Sequence, residues 1–398
     1  MRPALAARLA GQRLARGQAG LERVREPLDR IDPVVVELDG KRLVNFCSND
    51  YLGLATHPDV ADAMARAARG DFGNRLRQSG GVGSSASALV SGYTRPQREL
   101  ERALADFLGF EDALVVSSGY QANLAIGQAL LDRSDAVLGD RLNHASLNDG
   151  ARLAGARLRR YRHNDIDDAR AKMAQSPADR VRWIASDGVF SMDGDLAPLP
   201  ALAKLADRHD LGLWLDDAHG FGVVGEKGRG IHEHLGVSSE KIDAFVVTFG
   251  KSLGTQGAVI AADRALIEAL VNRARGVIYS TAMAPPLAAA TGCALNLLKQ
   301  QSWRRRRLHD NIRCFCERAA AAGIALASSA TAIQPIIIGD NIRALALANG
   351  LAERGFLARA IRPPTVPIGR ARLRITLSAA HRPEHIAGLV DAMEDLMT

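Results

Sequence analysis

Lys251 stands in Thr248-Phe249-Gly250-Lys251-Ser252-Leu253-Gly254, directly behind an apolar run at residues 244–247. Such a run carries the chain to the edge of a buried sheet, and the small residues around the lysine leave room for a flat ligand. Upstream, a second apolar run at residues 213–215 delivers Asp216-Asp217-Ala218-His219-Gly220. Two strand ends then offer an amine, a carboxylate and an imidazole to one pocket. That set suits a pyridine aldehyde cofactor, which needs an amine for a Schiff base, a carboxylate to keep the ring nitrogen protonated, and a donor near the ring oxygen.

Other strand ends carry further candidates. Ser117-Ser118-Gly119-Tyr120-Gln121-Ala122-Asn123 joins the run 113–116 to the apolar helical stretch 124–131. A small-residue turn opening a helix is an anion site, because free N–H groups and the helix dipole both favour phosphate, although many βα turns look the same. His144 follows the run 136–139 and could lie flat against an aromatic ring; alone it reads equally as a hydrogen-bonded surface histidine. Ser191-Met192-Asp193-Gly194-Asp195 follows the next run, and Arg362 precedes Pro363-Pro364-Thr365, a stiff setting suited to holding a carboxylate bidentately. Three competing motifs fail. The P-loop reading of Gly250-Lys251-Ser252 lacks its first glycine, since Phe245 stands there. Gly225, Gly228 and Gly230 follow no new strand, and His232-Glu233-His234 lacks the four-residue offset of a zinc helix, so a surface turn is expected there and no metal.

The elements that must position these residues alternate. Apolar runs at 113–116, 136–139, 181–185, 213–215, 244–247 and 258–260 are separated by helical stretches such as 95–108 and 196–209. This predicts an α/β fold around a mostly parallel sheet. Beyond residue 290 a long helical region, a strand at 332–338, a helix from Asn341 and an extended stretch at 371–377 predict a smaller α/β domain. The expected division is an N-terminal helical arm at 1–48, a large domain at 49–290 and a small one at 291–398.

Composition narrows the class. The 398 residues, 47% hydrophobic, can bury a large core, and the net charge of +7 comes from interleaved arginines. The one dense run, Arg304 to Arg307, lacks aromatic interleaving and reads as a solvated helix face or subunit contact, not a nucleic-acid surface. Four cysteines without CxxC spacing fit free thiols in a cytoplasmic protein. The uncharged stretch at 276–298 is broken by Pro285-Pro286 and is expected to be buried in protein, not in a membrane.

Taken together and in chain order, these segments resemble the α-oxoamine synthases, pyridoxal-phosphate enzymes of fold type I, the aspartate-aminotransferase-like fold. The likeness runs through Phe46-Cys47-Ser48-Asn49-Asp50-Tyr51, Val90-Ser91-Gly92-Tyr93, Gly188-Val189-Phe190-Ser191-Met192-Asp193-Gly194-Asp195, the Asp216 and Lys251 motifs, Ile278-Tyr279-Ser280-Thr281 and Ala360-Ile361-Arg362-Pro363-Pro364-Thr365. The last segment, with Gln334-Pro335-Ile336 and Gly339-Asp340-Asn341, favours the branch of biotin biosynthesis that condenses L-alanine with a pimeloyl thioester, pimeloyl-CoA or pimeloyl-acyl carrier protein. The resemblance implies pyridoxal 5'-phosphate bound through Lys251, Asp216 on the ring nitrogen, His219 on the ring oxygen, His144 stacked on the ring and Ser191 lining it. It implies Gly119, Tyr120 and Thr248 at the phosphate, joined by Ser280 and Thr281 of a second subunit in a homodimer. It implies Arg362 on the amino-acid carboxylate, and Arg23, Asn49, His144 and Thr365 at substrate. Glycine-using relatives and an aminotransferase of the same fold are the alternatives. Two positions depart from the family pattern: Asp187 stands for a usual Glu, and the glycine-rich loop at 83–89 carries alanine where relatives can have glycine.

Overall fold

The computed structural model describes residues 1–72, 80–175 and 181–397. They form two compact units: Leu52–Ser191 with Asp195–Arg306, and Met1–Tyr51 with Met192–Gly194 and Arg307–Thr398.

The larger unit is built on seven strands, β1 (Asp112–Val116), β2 (Ala136–Asp140), β3 (Arg157–Tyr161), β4 (Val181–Asp187), β5 (Gly212–Asp216), β6 (Ala244–Thr248) and β7 (Ala258–Ala262). Their order is β1-β7-β6-β5-β4-β2-β3. All neighbours are parallel except β7, which runs against both β1 and β6. Six strands were expected from their apolar runs. The edge strand β3 was not, because Arg157-Leu158-Arg159-Arg160-Tyr161 offers no apolar run when one flank needs no burial. In β6 every residue is buried, and Leu213, Trp214 and Leu215 of β5 have no exposed surface. Burying each such side chain is worth about 1.5–3 kcal/mol, so the positions of these two strand ends are firmly set.

Helices α1 (Gly119–Leu130) and α2 (Ala145–Leu153) cover this sheet. They touch through glycine: a Cβ on Gly127 would lie 2.3 Å from the Gly150 carbonyl oxygen, and one on Gly150 would lie 2.5 Å from that of Asn123. No side chain larger than hydrogen permits this approach, and it sets the first turns of the two helices side by side. The helix Pro285–Gln300 also belongs to this unit. Among the described residues, no helix is long and apolar enough to cross a membrane.

In the smaller unit a sheet of Ile333–Gly339, Ala371–Thr376 and Ala360–Ile361 is antiparallel throughout. The N-terminal segment Met1–Tyr51 is part of this unit, where Lys41–Asn45 pairs in parallel with Phe356–Leu357. Met192–Gly194 joins it through Arg372, a buried residue whose guanidinium donates to Met192 O at 2.9 Å and Asp193 Oδ1 at 2.7 Å. The helix Pro3–Gln18 forms as expected and buries none of its residues.

Two surface expectations are corrected. Ile231–His234 is a short helix, not a surface turn, and His232 is buried against Phe110 and Phe245, where burial lowers its pKa. Within the arginine run, Arg305 is buried and caps the carbonyls of Leu298 and Glu226 at 2.9 and 3.0 Å, so the face is not wholly solvated. The four cysteines are free thiols.

Candidate active site

Asp216 closes β5 and Thr248 closes the adjacent β6, with Asp216 level with Val246. Three residues past Thr248, Lys251 turns back so that its Nζ donates to Thr248 Oγ1 at 3.1 Å. The amine and the carboxylate therefore issue from neighbouring parallel strands at their carboxyl ends, where open α/β sheets bind ligands.

Beside Thr248 lies the start of α1. Ser118 caps the helix through Gln121 N at 3.2 Å, and a Cβ on Gly119 would fall 2.6 Å from Thr248 Cγ2. The first-turn N–H groups of α1 thus open next to a threonine hydroxyl that already accepts from a lysine ammonium. This is a donor-rich cradle for a dianion, and it fits the phosphate of the cofactor. Tyr120 stands in that first turn, and its hydroxyl donates to Asp149 Oδ2 at 2.5 Å. Gln121 Nε2 reaches Ser280 Oγ at 2.9 Å, and Thr281 bridges to Ser87. In one chain these two hydroxyl residues lie against α1 and the loop at 83–89. That loop is pinned by Ser84 Oγ on Ala282 O at 2.7 Å and turns at Ser85, whose φ is +65°.

His144 caps α2, and its ring is exposed, edge-on to Tyr120 with centroids 6.4 Å apart. Its backbone N–H donates to Asp187 Oδ2 at 2.9 Å, and its Nδ1 lies 2.7 Å from Ser146 Oγ. Ser146 Oγ also accepts from Asn123 Nδ2 at 2.8 Å, and the Ser146 backbone N–H points to His144 Nδ1 at 3.4 Å. The same Asn123 amide donates to Asp216 Oδ2 at 2.5 Å, while Trp214 Nε1 donates to its oxygen at 3.0 Å. A continuous relay, Asp216–Asn123–Ser146–His144, therefore links two of the four residues expected at the cofactor ring. Asn123, Ser146, Asp187 and Trp214 had no role assigned from sequence; bonds spanning up to 93 residues leave no local signal.

The two adjacent aspartates separate cleanly. Asp217 points away into a nest of three glycines: a Cβ on Gly188, Gly220 or Gly230 would lie 2.1–2.4 Å from its carboxylate oxygens. It accepts from Ile231 N at 2.7 Å, and burial raises its pKa well above the ordinary value. Asp187, fully enclosed and near Asp216, is likewise raised by burial and then by that neighbouring carboxylate. Asp216 keeps its Oδ1 on Ala218 N at 3.0 Å. His219 and Ser191 are half-buried.

Of the expected substrate residues, His144 lies in the larger unit, and Arg23, Asn49, Arg362 and Thr365 lie in the smaller one. Asn49 Oδ1 accepts from both terminal nitrogens of Arg374 at 3.2 Å and from Tyr51 Oη at 3.3 Å. Arg362 donates to the carbonyls of Gly20 and, at 3.1 Å, Glu22, while Arg23 donates to Pro363 O at 3.1 Å. Thr365 is exposed, its N–H on Arg362 O at 3.1 Å.

The sheet order and the strand-end lysine–aspartate pair define a fold type I pyridoxal-phosphate enzyme. Residues 41–393 match the aminotransferase class I and II family. The 8-amino-7-oxononanoate synthase of Methylococcus capsulatus is 50% identical over 90% of this chain and 90% of its own, and that of Pseudomonas putida KT2440 is 48% identical over 98% and 96%. Among solved structures, the serine palmitoyltransferase of Sphingomonas wittichii superposes with a TM-score of 0.89 at 29% identity, covering 99% of this chain and 97% of that one. The 8-amino-7-oxononanoate synthase of Francisella tularensis gives 0.75 at 29% identity, covering 89% and 97%. The chain belongs to the class I and II aminotransferase family and, within it, to the 8-amino-7-oxononanoate synthase family.

Proposed function

We propose that this chain catalyses the decarboxylative condensation of L-alanine with a pimeloyl thioester, giving 8-amino-7-oxononanoate, carbon dioxide and free thiol. The observation that carries the reading is the pair of strand ends that present Lys251 and Asp216, with Asp216 wired to His144 through Asn123 and Ser146. Pyridoxal 5'-phosphate, when bound, supplies the electron sink for the carbanion at the alanine Cα. Lys251 Nζ would hold the cofactor, and its amine would be the base placed to take the Cα proton. Asp216 keeps a proton on the ring nitrogen by its opposite charge, and the buried Asn123 amide keeps that carboxylate oriented. His144 offers a flat face to the ring, His219 a donor to its oxygen and Ser191 a lining, while Gly119, Tyr120 and Thr248 receive the phosphate. Arg362, Arg23, Asn49 and Thr365 serve the substrate. For Arg362 this requires the guanidinium to exchange the Gly20 and Glu22 carbonyls for a carboxylate.

The protein acts in the cytoplasm as a homodimer in which Ser280 and Thr281 of one subunit complete the phosphate site of the other. Mass spectrometry of the product from L-alanine with pimeloyl-CoA, and separately with the pimeloyl-acyl carrier protein, tests the reaction. The 8-amino-7-oxononanoate mass is expected from at least one donor. A product formed only from glycine, or a keto acid formed without carbon dioxide, contradicts it. Mixing Lys251→Ala and Thr281→Ala proteins should restore part of the activity if the sites are shared; no restoration contradicts that arrangement.

A further inference from the structure

His163 follows β3 and lies between two carboxylates. Its Nδ1 is 3.1 Å from Asp140 Oδ1 and its Nε2 is 2.7 Å from Asp195 Oδ2. A neutral imidazole has one N–H and can donate to only one of them; both bonds together require the imidazolium. The surroundings are built for it. Asp140 is fully buried at the end of β2, the His163 side chain is 17% exposed, and the Phe190 ring packs against it at 4.5 Å between centroids. Asn164, at φ +54°, donates its backbone N–H to Asp140 Oδ2 at 2.8 Å and its amide to Asp195 Oδ2 at 2.9 Å.

Each of the two aspartates anchors a loop that carries a candidate ring contact, Asp140 through its carboxylate and main chain and Asp195 through its main chain. Asp140 Oδ1 accepts from Leu142 N at 2.8 Å and its carbonyl from Asn143 N at 3.2 Å, immediately before His144. The Asp195 carbonyl accepts from Phe190 N at 3.0 Å, immediately before Ser191. We propose that His163 is a positioning residue, an imidazolium clamp that ties Asp140 to Asp195 and thereby holds the His144 and Ser191 loops in the register that the cofactor ring requires. The inference rests on reading His144 and Ser191 as ring contacts.

The charged groups that face His163 are Asp140 from β2 and Asp195 from the loop after β4; Asp187 on β4 lies one step beyond, within the field of Asp140. Burial lowers the pKa of His163, and the two carboxylates outweigh it and carry the pKa up to about 9. The sign follows from linkage: the clamp contributes fully below the ordinary histidine value and is lost as pH rises through about 9.

The test is a histidine ring-nitrogen NMR titration of the holoenzyme, run beside cofactor affinity measured over the same pH range. His163→Gln identifies the signal, and Asp195→Asn keeps the oxygen acceptor while removing one charge. Both His163 nitrogens should stay protonated through neutral pH, and cofactor affinity should fall across the His163 midpoint. Asp195→Asn should move both midpoints down together by about one pH unit or more. A His163 midpoint near the ordinary value, or an alkaline fall in affinity that Asp195→Asn leaves in place, overturns the proposal. The wild-type titration needs no variant to fold. If the two midpoints move together but no alanine-dependent condensation occurs, the clamp stands and the assigned reaction falls.

Discussion

Asn123 and Asp216 are joined by a 2.5 Å hydrogen bond in which a fully buried amide, already fixed by Trp214 and Ser146, donates to the carboxylate expected under the cofactor nitrogen. Removing the amide leaves a buried carboxylate short of one donor, a loss of about 1.5–3 kcal/mol for a bond to a charged group. Asn123→Ala should therefore weaken cofactor binding by about 10- to 100-fold, read by spectroscopic titration of the apoprotein. Unchanged affinity would mean that Asp216 needs no support from α1.

Gly119 meets Thr248 at the proposed phosphate cradle. With a Cβ only 2.6 Å from Thr248 Cγ2, Gly119→Ala must shift either the helix start or the threonine. We expect about tenfold or greater loss of cofactor affinity, and partial recovery when Thr248→Ser removes the opposing methyl group. Equal losses in the single and double variants would count against this packing explanation.

The nest around Asp217 makes a stability prediction separate from the chemistry. A methyl at position 220 would sit 2.1 Å from Asp217 Oδ1, so Gly220→Ala forces a buried carboxylate and its loop apart. Overpacking of this kind costs about 1–3 kcal/mol, and urea unfolding should show it as a lower midpoint with unchanged slope.

His381 gives the smaller unit an acid limit. It is buried, stacked on Phe46 at 4.2 Å, and its Nδ1 accepts from Ser378 N at 3.0 Å. Burial drives its pKa down to about 3. The unfolded chain therefore binds the extra proton first, and stability falls as pH drops below the ordinary histidine value. The loss is about 1.4 kcal/mol one pH unit below it. Unfolding at pH 5.5 and 7.5, compared between wild type and His381→Gln, should show the acid loss diminished in the variant.

Much of this was legible in the chain because buried strands must be apolar and their ends must be polar. Residues 244–247 and 213–215 announced β6 and β5, and with them Lys251 and Asp216. The strand β3 was hidden because an edge strand with Arg157, Arg159 and Arg160 carries no burial signal. The relay through Asn123 and Ser146 was hidden for another reason. It exists only because Gly127 and Gly150 let two helices close to within backbone contact, and no local pattern encodes that pairing. Local pattern alone does not separate Asp216 from Asp217, and only the family resemblance chose between them; the three glycines that enclose Asp217 come from three different turns.

The most direct test of the central claim is thiol release from pimeloyl-CoA by the cofactor-loaded protein with L-alanine, compared with glycine, in wild type and Lys251→Ala. Wild type should release thiol with alanine well above the glycine rate, and Lys251→Ala should lose about 10³-fold or more. A Lys251→Ala protein that releases thiol at the wild-type rate would contradict the account.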